Sequence, residues 1–221
     1  MTDIVVTLID RMGDDLNVVN AARVSFGKKS EYMPRVHMGE PKVLQHKDAR
    51  LIKYLAKHKH MSPFGHAFAS FHVKAPLFVA RQLVKHKFLR WNEISRRYVD
   101  TEPEFYQPSA WRGRSEDKKQ GSSGEVRSNA NVHYFNENAL RLYKQLLDEG
   151  VAPEQARMVL PASLMTEWYW SGSLDAFADM CNLRCTDDTQ AETSFVADAI
   201  DEEMEQLFPV SWKELRNDSS E

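Results

Sequence analysis

Cysteine is scarce. The 221-residue chain has two, Cys181 and Cys185, too few for a disulfide framework. They stand four residues apart on one helical face, where a disulfide is geometrically poor. No further ligands at metal-site spacing lie nearby, so two small, mostly buried side chains are expected. Long apolar runs are also missing. No segment is long enough to span a bilayer, and the opening MTDIVVTLIDRMGDD carries acids early with no cleavage-type segment. A cytoplasmic protein with no membrane partner is expected. An excess of positive charge is the third absence: 29 Lys and Arg against 32 Asp and Glu leave a net charge of −3. General affinity for nucleic acid or anionic membrane is thereby disfavoured, and any anion site must be local. No repeat or heptad run appears.

What remains is ordinary for a globular chain, 42% apolar and 28% charged. The whole of 1–221 is expected to form one domain with its own core. Ile4 to Ile9 reads as a strand, Asp15 to Ala22 as a short helix and Asp48 to His58 as an amphipathic helix. Ala67 to Lys74 alternates like a strand, and Pro76 starts a helix. Asn138 to Glu149 is amphipathic and stopped by Gly150, and Pro153 opens a short helix. Thr166 to Trp170 is β-prone. Ser173 stands as N-cap to a helix running towards Arg184, Thr189 to Leu207 is helical by pattern, and Ser211 to Arg216 forms a last short turn. Two polar stretches, 27–47 and 108–131, read as loops, the second an exposed excursion. The fold class is α+β: a small, mostly antiparallel sheet with several long helices. His60 and His66 stand six apart without a third ligand at recognisable spacing, so no metal is expected.

The chemistry concentrates in Arg81 to Tyr98, RQLVKHKFLRWNEISRRY. Lys85, His86 and Lys87 sit side by side, followed by Arg90, Asn92, Glu93, Ser95, Arg96, Arg97 and Tyr98. Cations with one carboxylate, an amide, a hydroxyl and an imidazole suit a phosphorylated, hydrogen-bonding ligand. A solvated helix end rich in cations is the bland alternative.

This stretch resembles the signature of the flavin-dependent thymidylate synthases: an Arg-His-Arg triplet, seven residues, then serine, with Asn-Glu before it and Arg-Tyr after. Lys85-His86-Lys87 stands at the triplet, and Asn92-Glu93, Ser95 and Arg97-Tyr98 keep the spacing. Ala21 to Phe26, His60 to Phe64, Ala75 to Gln82, Ala156 to Pro161 and Asn182-Leu183-Arg184 also resemble blocks of that family, in family order.

The resemblance implies an α+β homotetramer that binds FAD where subunits meet. It implies methylation of dUMP at C5, with carbon from methylenetetrahydrofolate and reducing equivalents from NADPH through the flavin. It places His60, Ser62, Lys85, His86, Lys87 and Glu93 towards FAD, with Ser25 near its phosphates. Ser173, Asp179, Leu183 and Asp188 also fall at flavin contacts. Gln82, Lys85, Glu93, Ile94, Ser95, Arg96, Arg97 and Arg157 are to line the dUMP pocket, and Arg184 is to contact and polarise the pyrimidine. Ser95 and Arg184 are thus the candidate catalytic residues. Ser95 lacks an evident base and reads better as a hydrogen-bonding substrate residue than as a nucleophile.

The sequence departs from the family pattern at named positions. Lysines replace both outer arginines of the triplet, keeping charge but losing the planar fork. Gly65 stands for a usual glutamate, Arg96 for a glycine and Asp188 for a histidine. These changes leave a related pyrimidine monophosphate such as dCMP as an alternative substrate, and a non-catalytic flavin- or nucleotide-binding homologue as an alternative role. Taken singly, the residues have structural readings too. Arg157 bridges helices, Arg184 caps its own helix near Asp187, and His86, Tyr98 and Trp168 to Trp170 sit in the core.

Overall fold

The computed structural model describes residues 3–34, 42–99, 101–116 and 121–216. Parts of the two expected loops (35–41 and 117–120), and the ends of the expected 1–221 domain, lie outside the described residues. The frame is a four-stranded antiparallel sheet ordered β1–β2–β6–β3: β1 Val5–Met12, β2 Phe68–Pro76, β3 Leu89–Glu93 and β6 Met165–Ser173. Its two inner strands alternate as half-buried strands should. Ala69, Phe71 and Val73 of β2 and Trp168 and Trp170 of β6 are buried on one face. The register pairs Phe71 with Trp170 and Val73 with Trp168. His72 and Glu167 point the other way and pair at 2.9 Å.

Helices cover the aromatic face. α1 Asp15–Arg23, α2 His46–Lys57, α6 Leu174–Arg184, α7 Ala191–Leu207 and α8 Pro209–Arg216 contribute Val18, Val19, Ile52, Phe177, Met180, Ile200, Met204 and Trp212 to one hydrophobic cluster with the sheet. The α+β expectation therefore holds. Local signals set several boundaries. Asp14 caps α1 by accepting from Leu16 and Asn17 N–H, and Asn17 answers in a capping box. Asp15, buried, accepts from the Val210 and Ser211 N–H groups, tying the start of α1 to the start of α8.

Three expectations need correction. Helix α3, Leu77–Leu83, ends before Lys85, so the cationic stretch is a turn and an edge strand rather than a helix end. The 108–131 excursion contains a hairpin, β4 Trp111–Arg114 paired with β5 Ser122–Val126. Its strands are short, Gly- and Ser-containing and exposed, so sequence alternation had no buried face to report. The helix expected from Asn138 starts earlier, as α4 Val132–Asp148. Its first turn exposes Tyr134 and Phe135, which hides the usual polar-then-apolar onset. Ser173 occupies the N-cap position of α6, but its side chain makes no capping bond.

Candidate active site

The ends of helices α3 and α6 and of strands β3 and β6 meet around the Lys85-His86-Lys87 turn. The chain leaves α3 at Leu83 and reverses through Phe88, whose φ of +63° is rare for a bulky residue. It then enters β3 with Leu89 opposite Gly172 of β6. A Cβ on Gly172 would stand 3.2 Å from the Phe88 carbonyl, so glycine lets the turn lie against the sheet. Lys85, Lys87 and Phe88 are exposed, whereas His86 is half-buried with its ring edge-on to Trp170 at 6.5 Å.

Arg184, the last residue of α6, donates its Nε–H to His86 Nε2 at 3.0 Å. A ring nitrogen that accepts carries no proton, so His86 is the neutral tautomer protonated on Nδ1. Burial first and the Arg184 charge second lower its pKa to about 4. Burial likewise lowers that of Arg184. His86 is therefore an orienting group and not a third cation beside the lysines. It also does not bury itself wholly in the core, and Arg184 does not simply cap its helix.

A depressed histidine pKa stabilises the fold above the unfolded value of 6.5, and that contribution is lost as pH falls towards about 4. Imidazole NMR should accordingly place the His86 midpoint near 4 and move it upward in Arg184→Ala. A wild-type midpoint near 6.5 would disprove the arrangement.

Arg184 lines a cleft of about 530 Å³ with Gln82, Leu183, Asp188 and Gln190. A neighbouring cavity of about 540 Å³ lies under the β4–β5 hairpin and shares Gly121 and Gln190 with it. The sequence-predicted residues Gln82, Leu183, Arg184 and Asp188 are thus gathered at one wall, with His86 behind Arg184.

A second group follows β3. Glu93 accepts from Thr166 Oγ1 at 2.8 Å and from Trp91 Nε1 at 3.2 Å, which holds its carboxylate against the sheet. Ile94 extends the ladder by donating its N–H to the Glu167 carbonyl. Ser95 Oγ accepts from Arg97 Nε at 3.2 Å, and no histidine or carboxylate bonds to it among the described residues. Arg96 folds back to the Thr101 carbonyl and hydroxyl, beside a small cavity of about 90 Å³ that also touches Ile94, Glu102 and Thr166. Within this chain, then, Arg96 braces its own loop. Arg97 stacks on Tyr98, which is 76% exposed and not a core residue.

The remaining residues stand on other elements. His60 and Ser62 are exposed around the 3-10 turn Ser62–His66, where the rings of Tyr54, His58 and His60 cluster within 4.3 to 6.3 Å. That turn packs against α6, which carries Asp179 and follows Ser173. Burial and then the Asp175 charge raise the Asp179 carboxyl pKa. Ser25 is exposed on the 3-10 turn after α1. Arg157 is exposed and donates Nε to the Glu154 carbonyl within its own turn, so it bridges no helices by that bond. Cys181 is buried with its thiol pKa pushed well up by burial, which makes it a poor thiolate.

Sequence reasoning missed Arg112, Gln190 and Glu192. Glu192 is 3% exposed and takes two 2.6 Å bonds from Arg112. A buried carboxylate inside a helical pattern looks like any surface glutamate until its partner, 80 residues away, is placed.

Residues 7–210 match the family described as thymidylate synthase complementing protein. The flavin-dependent thymidylate synthase of Thermus thermophilus is 40% identical over 210 residues, 94% of this chain and 73% of that protein. That of Kosmotoga olearia is 36% identical over 218 residues, 96% of this chain and 90% of that one. Among solved structures, the UMP/dUMP methylase PolB from Streptomyces cacaoi bound with 5-Br UMP has a TM-score of 0.82 at 29% identity, covering 98% of this chain and 95% of that chain. The same methylase bound with 5-Br dUMP gives 0.78 at 31%, covering 98% and 96%.

Proposed function

The chain belongs to the flavin-dependent thymidylate synthase family, and from that premise we propose that it methylates dUMP to dTMP. Methylenetetrahydrofolate would be the carbon donor, and NADPH the reductant through FAD. The observation that carries this reading is Arg184, fixed by a neutral imidazole at the wall of a nucleotide-sized cleft. An Nε–H committed to His86 leaves the two terminal amino groups of the guanidinium for a ligand. Directed at a pyrimidine ring, they stabilise the negative charge that develops on it as C5 becomes nucleophilic.

FAD suits the donors on the turn. Lys85 and Lys87 are exposed and make no ion pair with another described residue, so both are available to a pyrophosphate. When bound, FAD supplies the hydride chemistry that no side chain provides. Lys85 and Lys87 hold phosphate, and His86 keeps its Nδ1–H as a donor. His60, Ser62, Glu93, Ser173, Asp179, Leu183 and Asp188, with Ser25 at the phosphates, complete the proposed flavin contacts. Gln82, Lys85, Glu93, Ile94, Ser95, Arg96, Arg97 and Arg157 serve the nucleotide, Ser95 as a hydrogen-bonding group.

These residues spread over several faces of one chain, and apolar side chains beside them are bare. Phe26, Phe88, Tyr98 and Met158 are 77, 83, 76 and 79% exposed. Coverage by further copies, as a homotetramer with shared sites, accounts for both observations.

The test is the visible spectrum of the purified protein through anaerobic reduction and addition of dUMP with methylenetetrahydrofolate. Flavin that reoxidises without oxygen while dTMP forms is the expected result. Turnover with dCMP alone would move the substrate. Flavin inert with both nucleotides would leave a binding protein, and no flavin uptake from added FAD would end the proposal.

A further inference from the structure

A chain of side-chain bonds runs from the hairpin to the cleft wall and fixes which atom Gln82 shows to a ligand. It starts at Arg112 of β4, whose NH2 group gives Glu192 two bonds of 2.6 Å. The pairing favours the ionised carboxylate, which is acceptor-only. Gln190 Nε2 donates to Glu192 Oε2 at 3.0 Å. With its amino group so engaged, Gln190 turns its carbonyl oxygen outward, and Gln82 Nε2 donates to that oxygen at 2.7 Å. A second contact joins Gln82 Nε2 to the Phe78 carbonyl at 3.5 Å.

Each amide alone could be flipped, since its two ends have nearly the same shape. The series as a whole cannot. Flipping Gln190 sets its oxygen against the Glu192 carboxylate, and flipping Gln82 sets oxygen against oxygen. The ion pair at one end therefore leaves Gln82 Oε1 as the unused group at the other. No described residue donates to it, and Gln82 and Gln190 both line the cleft that holds Arg184.

We propose that Arg112, Glu192 and Gln190 are positioning residues that lock Gln82 as a hydrogen-bond acceptor, so that the cleft selects a ring bearing N3–H. Uracil offers that donor, whereas cytosine offers a lone pair at N3. The inference rests on the reading of the cleft as a pyrimidine nucleotide site. Setting an acceptor against an acceptor leaves both unpaired, which disfavours the wrong base by about tenfold or more.

The experiment measures equilibrium binding of dUMP and dCMP to the FAD-loaded protein and to its Gln190→Met and Glu192→Gln variants. The wild-type protein should favour dUMP by about tenfold or more. Both variants release the amide of Gln82 to rotate, and the dUMP-to-dCMP ratio should fall towards one, chiefly through tighter dCMP. A merely structural role would weaken both nucleotides together and leave the ratio unchanged, and that result overturns the proposal. Glu192 is buried against Arg112, so Glu192→Gln risks misfolding. Gln190 is only half-buried, and Gln190→Met keeps the test decisive. Binding of neither nucleotide by the wild type would overturn the site reading itself. A wild type that binds dUMP, with variants of unchanged ratio, sinks only the relay.

Discussion

Arg184→Ala should lose dUMP methylation by a factor on the order of 10³ while the protein still takes up FAD. Removing one preorganised donor from a developing charge costs about 10² to 10³ in rate. Arg184 adds a full charge in a partly water-excluded wall, where its pKa is already lowered by burial. The loss should fall on kcat rather than on flavin content, because the exposed lysines of the turn do not depend on Arg184 for support. Arg184→Lys is a sharper variant. It keeps a cation but has no Nε–H in the geometry that reaches His86 Nε2 at 3.0 Å. Most of the activity should vanish there as well. Single-turnover rates at saturating dUMP give the measurement, and near-normal rates in Arg184→Ala would remove this residue from the mechanism.

Asp48→Ala should cost about 2–4 kcal/mol of stability, since breaking a buried ion pair strands its partner's charge and hydrogen bonds. The Asp48 side chain is 0% exposed. It accepts from Arg23 Nε at 3.1 Å and from Ser30 Oγ at 3.0 Å. Ser30 is held in turn by two backbone bonds with the Asn20 amide, of 2.7 and 3.1 Å. The knot joins the end of α1, the chain after it and the start of α2 around the turn that carries Ser25. Arg23 keeps 20% of its side chain in solvent, which places the cost below that of a fully buried pair. For a chain of this size, Tm should fall by about 5–15 °C. FAD affinity should weaken with it if Ser25 meets the flavin phosphates. A Tm within about 2 °C of wild type would show that the knot is dispensable.

The elements that announced themselves in sequence were those with a regular partner face. Phe71 and Val73 alternate with His72 and Lys74 because β2 has one face on the core, and the strand appears where that pattern placed it. Helix α1 carries its own stop and start signals within a few residues, and α7 has a long apolar stripe. The hairpin β4–β5 carries no such stripe, because neither face is buried. The reversal at Lys85 to Phe88 was hidden for another reason. It depends on Gly172, more than 80 residues later, leaving room for the Phe88 carbonyl. Tyr98 reads as a core aromatic from its residue type and is exposed, because it lies in the turn that follows β3, outside the sheet.

By itself the sequence determined the α+β class and the family, and it supplied the short list of residues proposed to meet a flavin and a nucleotide. Those properties live in residue type and local spacing, which the chain carries before it folds. Only the tertiary structure decided that His86 is a neutral acceptor for Arg184, that Arg96 turns back on its own loop, and that Arg112 is joined to the Gln82 amide through Glu192 and Gln190. The partner of His86 stands 98 residues away in the chain, that of Glu192 80 residues away and that of the Gln82 amide 108 residues away. A hydrogen bond acts over about 3 Å of space, and no spacing in the sequence encodes that proximity.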